Sequence, residues 1–217
     1  TLVLGVVSVV ISTILGVFLG LMAAIRRGTW IDTLVTILSY VGLVIPVFLL
    51  GFVLIYVFGL KLGWLPIAGY KLPWQDFGAS VKYSVMPVIC LAATPLAVTA
   101  RQMRSSVLEV NNMDYVRTAW SKGLRERLVV TRHILKNSLV PVVTLLGISI
   151  GIIFGGSVIV ETMFAIPGMG RLLVQSVFNL DYVVIQSGTL ILAAMIIFVN
   201  LIVDISYGWF DPRIRYE

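Results

Sequence analysis

Five stretches of this chain, residues 1–25, 33–60, 83–100, 140–160 and 186–207, hold one charged residue between them, Asp204. A run of about 20 apolar residues is the length of a helix that crosses a bilayer's hydrocarbon core. In lipid every backbone N–H and C=O must be paired internally, which leaves helical bundles or closed barrels. The runs are continuous and do not alternate with period two, so the sequence predicts an all-α, polytopic membrane bundle with five spans. Composition agrees: 59% of the 217 residues are hydrophobic and 12% charged, where soluble domains carry about a quarter.

The net charge of +6 could point to nucleic acid. Basic residues scattered between apolar spans report membrane topology more economically, and no nucleic-acid partner is expected. Five spans force the loops to alternate sides. One side collects Arg26, Arg27, the eight basic residues of 101–141, Arg213 and Arg215, twelve of the sixteen Lys and Arg. The other side has Lys61, Lys71, Lys82 and Arg171. This three-to-one bias predicts that the long polar segment and the C-terminus are cytoplasmic and Thr1 is outside. The chain opens Thr-Leu-Val-Leu, with neither an initiator Met nor a signal-peptide pattern. A further upstream span is therefore expected in the natural protein.

Several features modulate the spans. Gly16 and Gly20 share a helical face and predict a close helix contact, as do Gly147, Gly151 and Gly155 in the fourth span. Pro46 should kink the second span, and Pro87 and Pro95 the third, which then either lines a cavity or simply packs bent. The connector 59–82 is rich in Gly, Pro and aromatic residues such as Trp64, Tyr70, Trp74 and Phe77. That composition suits a segment at the membrane interface, or alternatively a small gating loop.

No catalytic or metal constellation is present. His133 has Arg132 and Lys136 as neighbours, with no second His in the chain, and the single Cys90 sits in an apolar run. No phosphate-binding G-x-x-x-x-G-K-[ST] loop occurs, so any ATP hydrolysis must come from another subunit. Asp204 is the one carboxylate assigned to a span; it reads as a boundary or inter-helix contact, or else as a proton relay.

The polar segment is the informative part. The third span is predicted to continue as helix to about Val110, with Asn111, Asn112 and Asp114 forming a turn and helix N-cap. Val116, Trp120, Leu124 and Leu128 follow at intervals of four among basic residues, an amphipathic pattern. Gly123 within it should mark a helix end or a close backbone approach. Such a helix could rest on anionic lipid or dock a cytoplasmic partner.

Here the residues resemble a known family. Tyr115-Val-Arg-Thr-Ala-x-x-Lys-Gly-Leu124, followed by Arg132-His-x-Leu-x-Asn-Ser-Leu-x-Pro141, is similar to the coupling loop of permease subunits of binding-protein-dependent ABC importers. The branch importing dipeptides, oligopeptides, nickel or glutathione is nearest. Glu161-Thr-x-Phe-x-Ile-Pro-Gly-Met-Gly-Arg171 and the ending Asp211-Pro-Arg-Ile-Arg-Tyr216 agree with it. The general importer pattern has Glu-Ala-Ala before the glycine and a later Ile-x-Leu-Pro; Arg117-Thr118-Ala119 and Pro141 depart from it as the peptide branch does.

The resemblance implies a type I importer transmembrane core over 1–217, of a family with six spans, with a cytoplasmic coupling loop at 101–140 and an extracytoplasmic gate loop at 161–185. It implies ATPase coupling through Arg117, Thr118, Ala119, Lys122, Gly123 and Leu124, and a gate built on Glu161, Pro167, Gly168, Gly170 and Arg171. The implied partners are a homologous second permease, two ATPases that bind ATP and Mg, an extracytoplasmic substrate-binding protein and membrane lipid. The permease itself would hold no cofactor and no enzymatic activity, and would reside in a bacterial or archaeal inner membrane. The competing readings are an ion-coupled secondary transporter and a non-transporting scaffold.

Overall fold

The computed structural model describes residues 1–210, apart from the side chains of Leu146, Ile148, Ile152, Phe154, Val203, Asp204 and 206–210. Asp204's expected contact and the motif in 211–217 therefore lie outside the described residues. The described chain is all-helical in its regular structure, with no strand: α1 (Leu2–Ile25), α2 (Trp30–Val44), α3 (Val47–Leu54) continued by a π-helical segment (Ile55–Lys61), and, after a non-helical connector, α4 (Phe77–Asn111). Then follow α5 (Asp114–Ser121), α6 (Glu126–Leu128), a second π-helical segment (Val129–Leu135), α7 (Lys136–Ser138), α8 (Val140–Met163), α9 (Met169–Phe178) and α10 (Tyr182–Phe210).

Among the described residues α1, α4 and the Tyr182–Ile202 part of α10 are each long and apolar enough to cross a membrane. Two bent pairs, Trp30–Val44 with Val47–Lys61 and Glu126–Ser138 with Val140–Gly151, raise the number to five if each is one span.

The bundle is organised on α4. Gly16 of α1 sits against Thr99, whose Cβ would lie 2.7 Å from an added methyl, and Gly20 against the Ala100 carbonyl and Met103. Small residues permit this approach, as the Gly16/Gly20 spacing predicted. The α1 contacts rise in number along α4 (16 with 99, 20 with 103), so the two run parallel. Helix α2 runs the other way, with Gly42 against Ala97 and Asp32 bonded to Arg104. Helix α8 is also antiparallel to α4: Val142 packs with Met103 and Val107, and Val160 with Met86.

Polarity is distributed as lipid demands. The buried face of α1 is Leu4, Gly5, Ser8, Ser12, Gly16, Gly20, Ala23 and Ala24, while Val6, Val10, Ile14 and Phe18 point outward. Lipid solvates large aliphatic side chains as well as a protein interior does, so helix contacts select small residues and hydroxyls.

The proline and glycine features of the spans take distinct forms. The second span is not a kinked helix: it is broken by 108° after Val44, where Ile45 takes extended backbone (ψ 121°) ahead of Pro46. The proline ring disfavours helical backbone at the preceding residue, and α3 then lies against α4 and α8 with Gly51 touching Met163 and Cys90. Conversely Pro87 and Pro95 do not interrupt α4, which continues for 35 residues with both prolines buried. The Gly151 and Gly155 ridge faces away from this chain: both are exposed, and a Cβ there would meet nothing within 4 Å; Gly147 is half-buried.

Candidate coupling loop and gate loop

The two loops singled out by sequence lie at opposite ends of the bundle. Arg26, Arg27 and the segment after α4 share one end, here the basic end; Thr1 and Glu161 meet at the other, the gate end.

At the basic end α4 runs on to Asn111, as predicted, and Asn112 turns the chain. The N-cap of α5 is Met113, not Asp114; Asp114 occupies the first turn, where its carboxylate favours the helix dipole. Val116 is fully buried and Ala119 nearly so, against Ala24, Met103, Val107, Val110, Val129, Ile134 and Val142. Tyr115, Arg117, Thr118, Trp120, Ser121 and Lys122 face outward.

The predicted four-residue stripe is not a single helical face, because α5 stops at Ser121. The Lys122 N–H donates to the Thr118 carbonyl at 3.1 Å and the Gly123 N–H to that of Trp120 at 2.9 Å. Gly123 has φ +69°, a left-handed value that glycine reaches without steric cost. Of the two roles expected for Gly123 it fills the helix end, since a Cβ there would meet nothing within 4 Å. Leu124 turns back onto the inner cluster, while Trp120 and Leu128 remain exposed.

The return limb begins at Glu126. An i→i+5 ladder brings residues five apart towards one face, and the two buried side chains of its π-helical part, Val129 and Ile134, are five apart. Asn137 ties the two halves of the motif together. Its Nδ2 donates to the Tyr115 hydroxyl at 2.9 Å and to the His133 carbonyl at 2.8 Å. The 22 residues that separate Tyr115 from Asn137 leave no local signal of this bond in the sequence.

At the gate end α8 finishes with paired reverse bonds, Ile166 N–H to the Glu161 carbonyl at 2.8 Å and Ala165 N–H to that of Thr162 at 3.4 Å, with Ala165 at φ 52°. This is the Schellman arrangement with alanine where glycine is usual. It folds Ile166 and Phe164 into a cluster with Leu4, Met86 and Val160. The Phe164 carbonyl accepts the Gly69 N–H at 2.8 Å, which fastens the 62–76 connector over the loop.

Glu161 is completely buried. Its Oε2 accepts the Arg171 N–H at 3.2 Å, in the first turn of α9, and its Oε1 accepts the Thr1 hydroxyl at 2.5 Å. Thr1 Oγ1 in turn accepts the Met169 N–H at 2.9 Å. A carboxylate at a helix N-terminus satisfies unpaired donors and meets the positive end of the dipole. Gly168 and Gly170 make the approach feasible: a Cβ on Gly168 would overlap the Glu161 carboxyl group, and one on Gly170 would lie 3.0 Å from Oε2 and 2.6 Å from the Val158 Cα. Pro167 is exposed and Arg171 half-buried. The structure thus joins Glu161, Gly168, Gly170 and Arg171 in one cap, with a ten-residue helix inside what reads as a loop.

A second carboxylate escaped the sequence reading. Asp32, placed just before the second span, is 7% exposed and bound by the Arg104 guanidinium, Nε to Oδ1 at 2.6 Å and Nη2 to Oδ2 at 2.9 Å. Among the described residues no group of three His, Cys, Asp or Glu could hold a metal ion.

Spans alternating about one long helix, an exposed short helix held at one end and a capped loop at the other define a polytopic membrane subunit. Residues 16–216 match the model of the binding-protein-dependent transport system inner membrane component family, and the chain belongs to that family. It is 42% identical over 217 residues to the "Glutathione transport system permease protein GsiC" of Escherichia coli K12, covering all of this chain and 68% of that protein. It is 38% identical to the "Probable peptide ABC transporter permease protein y4tP" of Sinorhizobium fredii, covering 100% of this chain and 69% of that one. A solved amino acid ABC transporter with histidines shares the fold, with a TM-score of 0.62 over 97% of this chain and 89% of that chain at 18% identity.

Proposed function

We propose that this chain is the membrane permease subunit of an ATP-driven importer of short peptides or a peptide-like solute such as glutathione, and that α5 is the element through which separate ATPases drive it. The relatives named for peptide and glutathione transport support the substrate class. The observation that carries the mechanical part is the two-sidedness of α5. Val116 and Ala119 lock it to α4 and the return limb, while Arg117, Thr118, Trp120 and Lys122 stand outside the bundle without a partner element among the described residues. An element so held passes displacement inward instead of absorbing it.

In this reading Arg117, Thr118 and Lys122 meet the ATPase, whereas Ala119, Gly123 and Leu124 brace and terminate the helix. ATP and Mg belong to the two ATPase subunits, and this chain has no catalytic role of its own. The basic end and the C-terminus are cytoplasmic, consistent with the bias of Lys and Arg. The capped loop at 161–185 forms part of an external gate that receives solute from a binding protein. A helix from a homologous second permease packs on the outward ridge of Gly147, Gly151 and Gly155.

The test is co-purification of the ATPases with the Arg117→Glu/Lys122→Glu variant. Both side chains are exposed, so the variant is expected to reach the membrane at the normal level and retain less than about a tenth of the ATPase, a loss of about 1.4 kcal/mol or more in binding. Normal recovery of ATPase would remove α5 as the docking element.

A further inference from the structure

Helix α2 is loosely held. Its buried residues are Asp32, Val35 and Ser39, while Leu34, Ile37, Leu38, Val41 and Val44 are exposed. Near its far end Gly42 lies on Ala97, and the Gly42 carbonyl accepts the Thr94 hydroxyl at 3.3 Å. At the basic end its polar tie to the bundle is Asp32. The carboxylate takes three donors: both guanidinium contacts from Arg104 and the Gly28 N–H at 3.0 Å, with Gly28 at φ +78° in the turn from α1 to α2. A paired fork of this kind fixes orientation as well as distance, and a buried carboxylate stripped of its partner is strongly unfavourable.

The position of Arg104 gives the pair its meaning. It lies one residue from Met103, which with Val107 and Val110 forms the floor beneath Val116 and Ala119 of α5. At its other end α2 passes through the 108° break into α3, whose Gly51 touches Met163, beside the Schellman turn of the gate loop. Val47, Leu50 and Ile55 pack on the cluster that holds Phe164 and Ile166. One continuous set of contacts therefore leads from α5 through the end of α4 and along α2 and α3 to the gate, and Asp32 with Arg104 is its charged joint.

We infer that Asp32 and Arg104 are a positioning pair that forces α2 and α3 to follow the end of α4 when α5 is displaced, so that movement at the basic end reaches the gate loop. This rests on the coupling role proposed for α5. Energetic coupling between distant sites is demonstrated by an element that both sites bias, not by proximity, so the test must read displacement.

In the complete complex with its partner subunits, on a Cys90→Ala background, spin labels are placed at Thr33 on α2 and Val177 on α9, both exposed. Their distance is measured without nucleotide and after trapping with ATP and vanadate. With Asp32 and Arg104 intact the distance should change by about 2 Å or more, the scale of helix shifts at moving interfaces. In Asp32→Asn the change should vanish while ATPase subunits still co-purify and hydrolyse ATP. If that variant fails to insert, Arg104→Lys keeps the charge but not the two-pronged fork, and should reduce the change by at least half. An undiminished change in the variant that inserts, or no change in the intact pair, would overturn the inference. Absence of ATPase from the intact complex would instead strike at the role of α5.

Discussion

Gly168 and Gly123 are both glycines for a reason, and the reasons differ. At Gly168 a methyl would occupy the space of the Glu161 carboxyl group; at Gly123 there is space, but the backbone lies at φ +69°. Forcing atoms into a filled site costs typically 1–3 kcal/mol. Gly168→Ala is therefore expected to destabilise the protein by about 2 kcal/mol, read as a lower unfolding temperature in detergent. Adding Glu161→Ala opens the space and removes the collision, so the double variant should lose less than the sum of the two single losses. Strict additivity would show that the carboxylate and the glycine do not share one site.

The sequence made Glu161 and Gly168 conspicuous through the motif that contains them, but not their contact, which depends on α8 ending in a reverse turn at Ala165. Asp32 and Arg104 were less legible still. They are 72 positions apart, one at the edge of an apolar run and the other in a basic segment, and each by itself is an ordinary boundary charge.

Among the elements, two glycine series with the same spacing end in opposite surroundings. Gly16 and Gly20 are pressed against α4, and Gly151 and Gly155 face open space. Spacing reports that a face is small; it does not report which helix will cover it. The contrast is measurable in the isolated chain. Gly20→Ala meets a backbone carbonyl that has no room to yield and is expected to lower stability by about 2 kcal/mol. Gly151→Leu should stay within about 0.5 kcal/mol, as at other exposed positions. Assembly with a second permease should respond to Gly151→Leu if that ridge is covered in the complex. Destabilisation of the isolated chain by Gly151→Leu would mean that the ridge is already packed.

The same limit explains the prolines. Pro46 breaks a helix because α3 gains a packed site on the far side of the break. Pro87 and Pro95 are absorbed because α4 is packed over most of its length by α1, α2 and α8. Removing a backbone donor is a local property legible from sequence, whereas the bend that results is decided by neighbours. The polar segment was more transparent: the helical run past Arg101 and the division at Gly123 follow from residues close in sequence.

For the molecule as a whole, apolar runs of spanning length, their alternating direction and a basic end opposite a capped end form one consistent arrangement. The helical class was readable because lipid permits so few ways to pair a backbone, whereas the break in the second span and the helix α9 inside the 161–185 loop were not. In the proposed function, force enters at the basic end, solute passes through a space shared with a partner permease, and ATP hydrolysis on separate subunits is the source of energy. The direct measurement is uptake of radiolabelled glutathione or a tripeptide into vesicles carrying the complete complex, with and without ATP and with the ion gradients collapsed by ionophores. Uptake that requires ATP and the ATPases, survives ionophores and falls at least tenfold in Arg117→Glu/Lys122→Glu is the predicted result. Uptake that persists without the ATPases and disappears with the ion gradient would contradict it and identify an ion-coupled carrier.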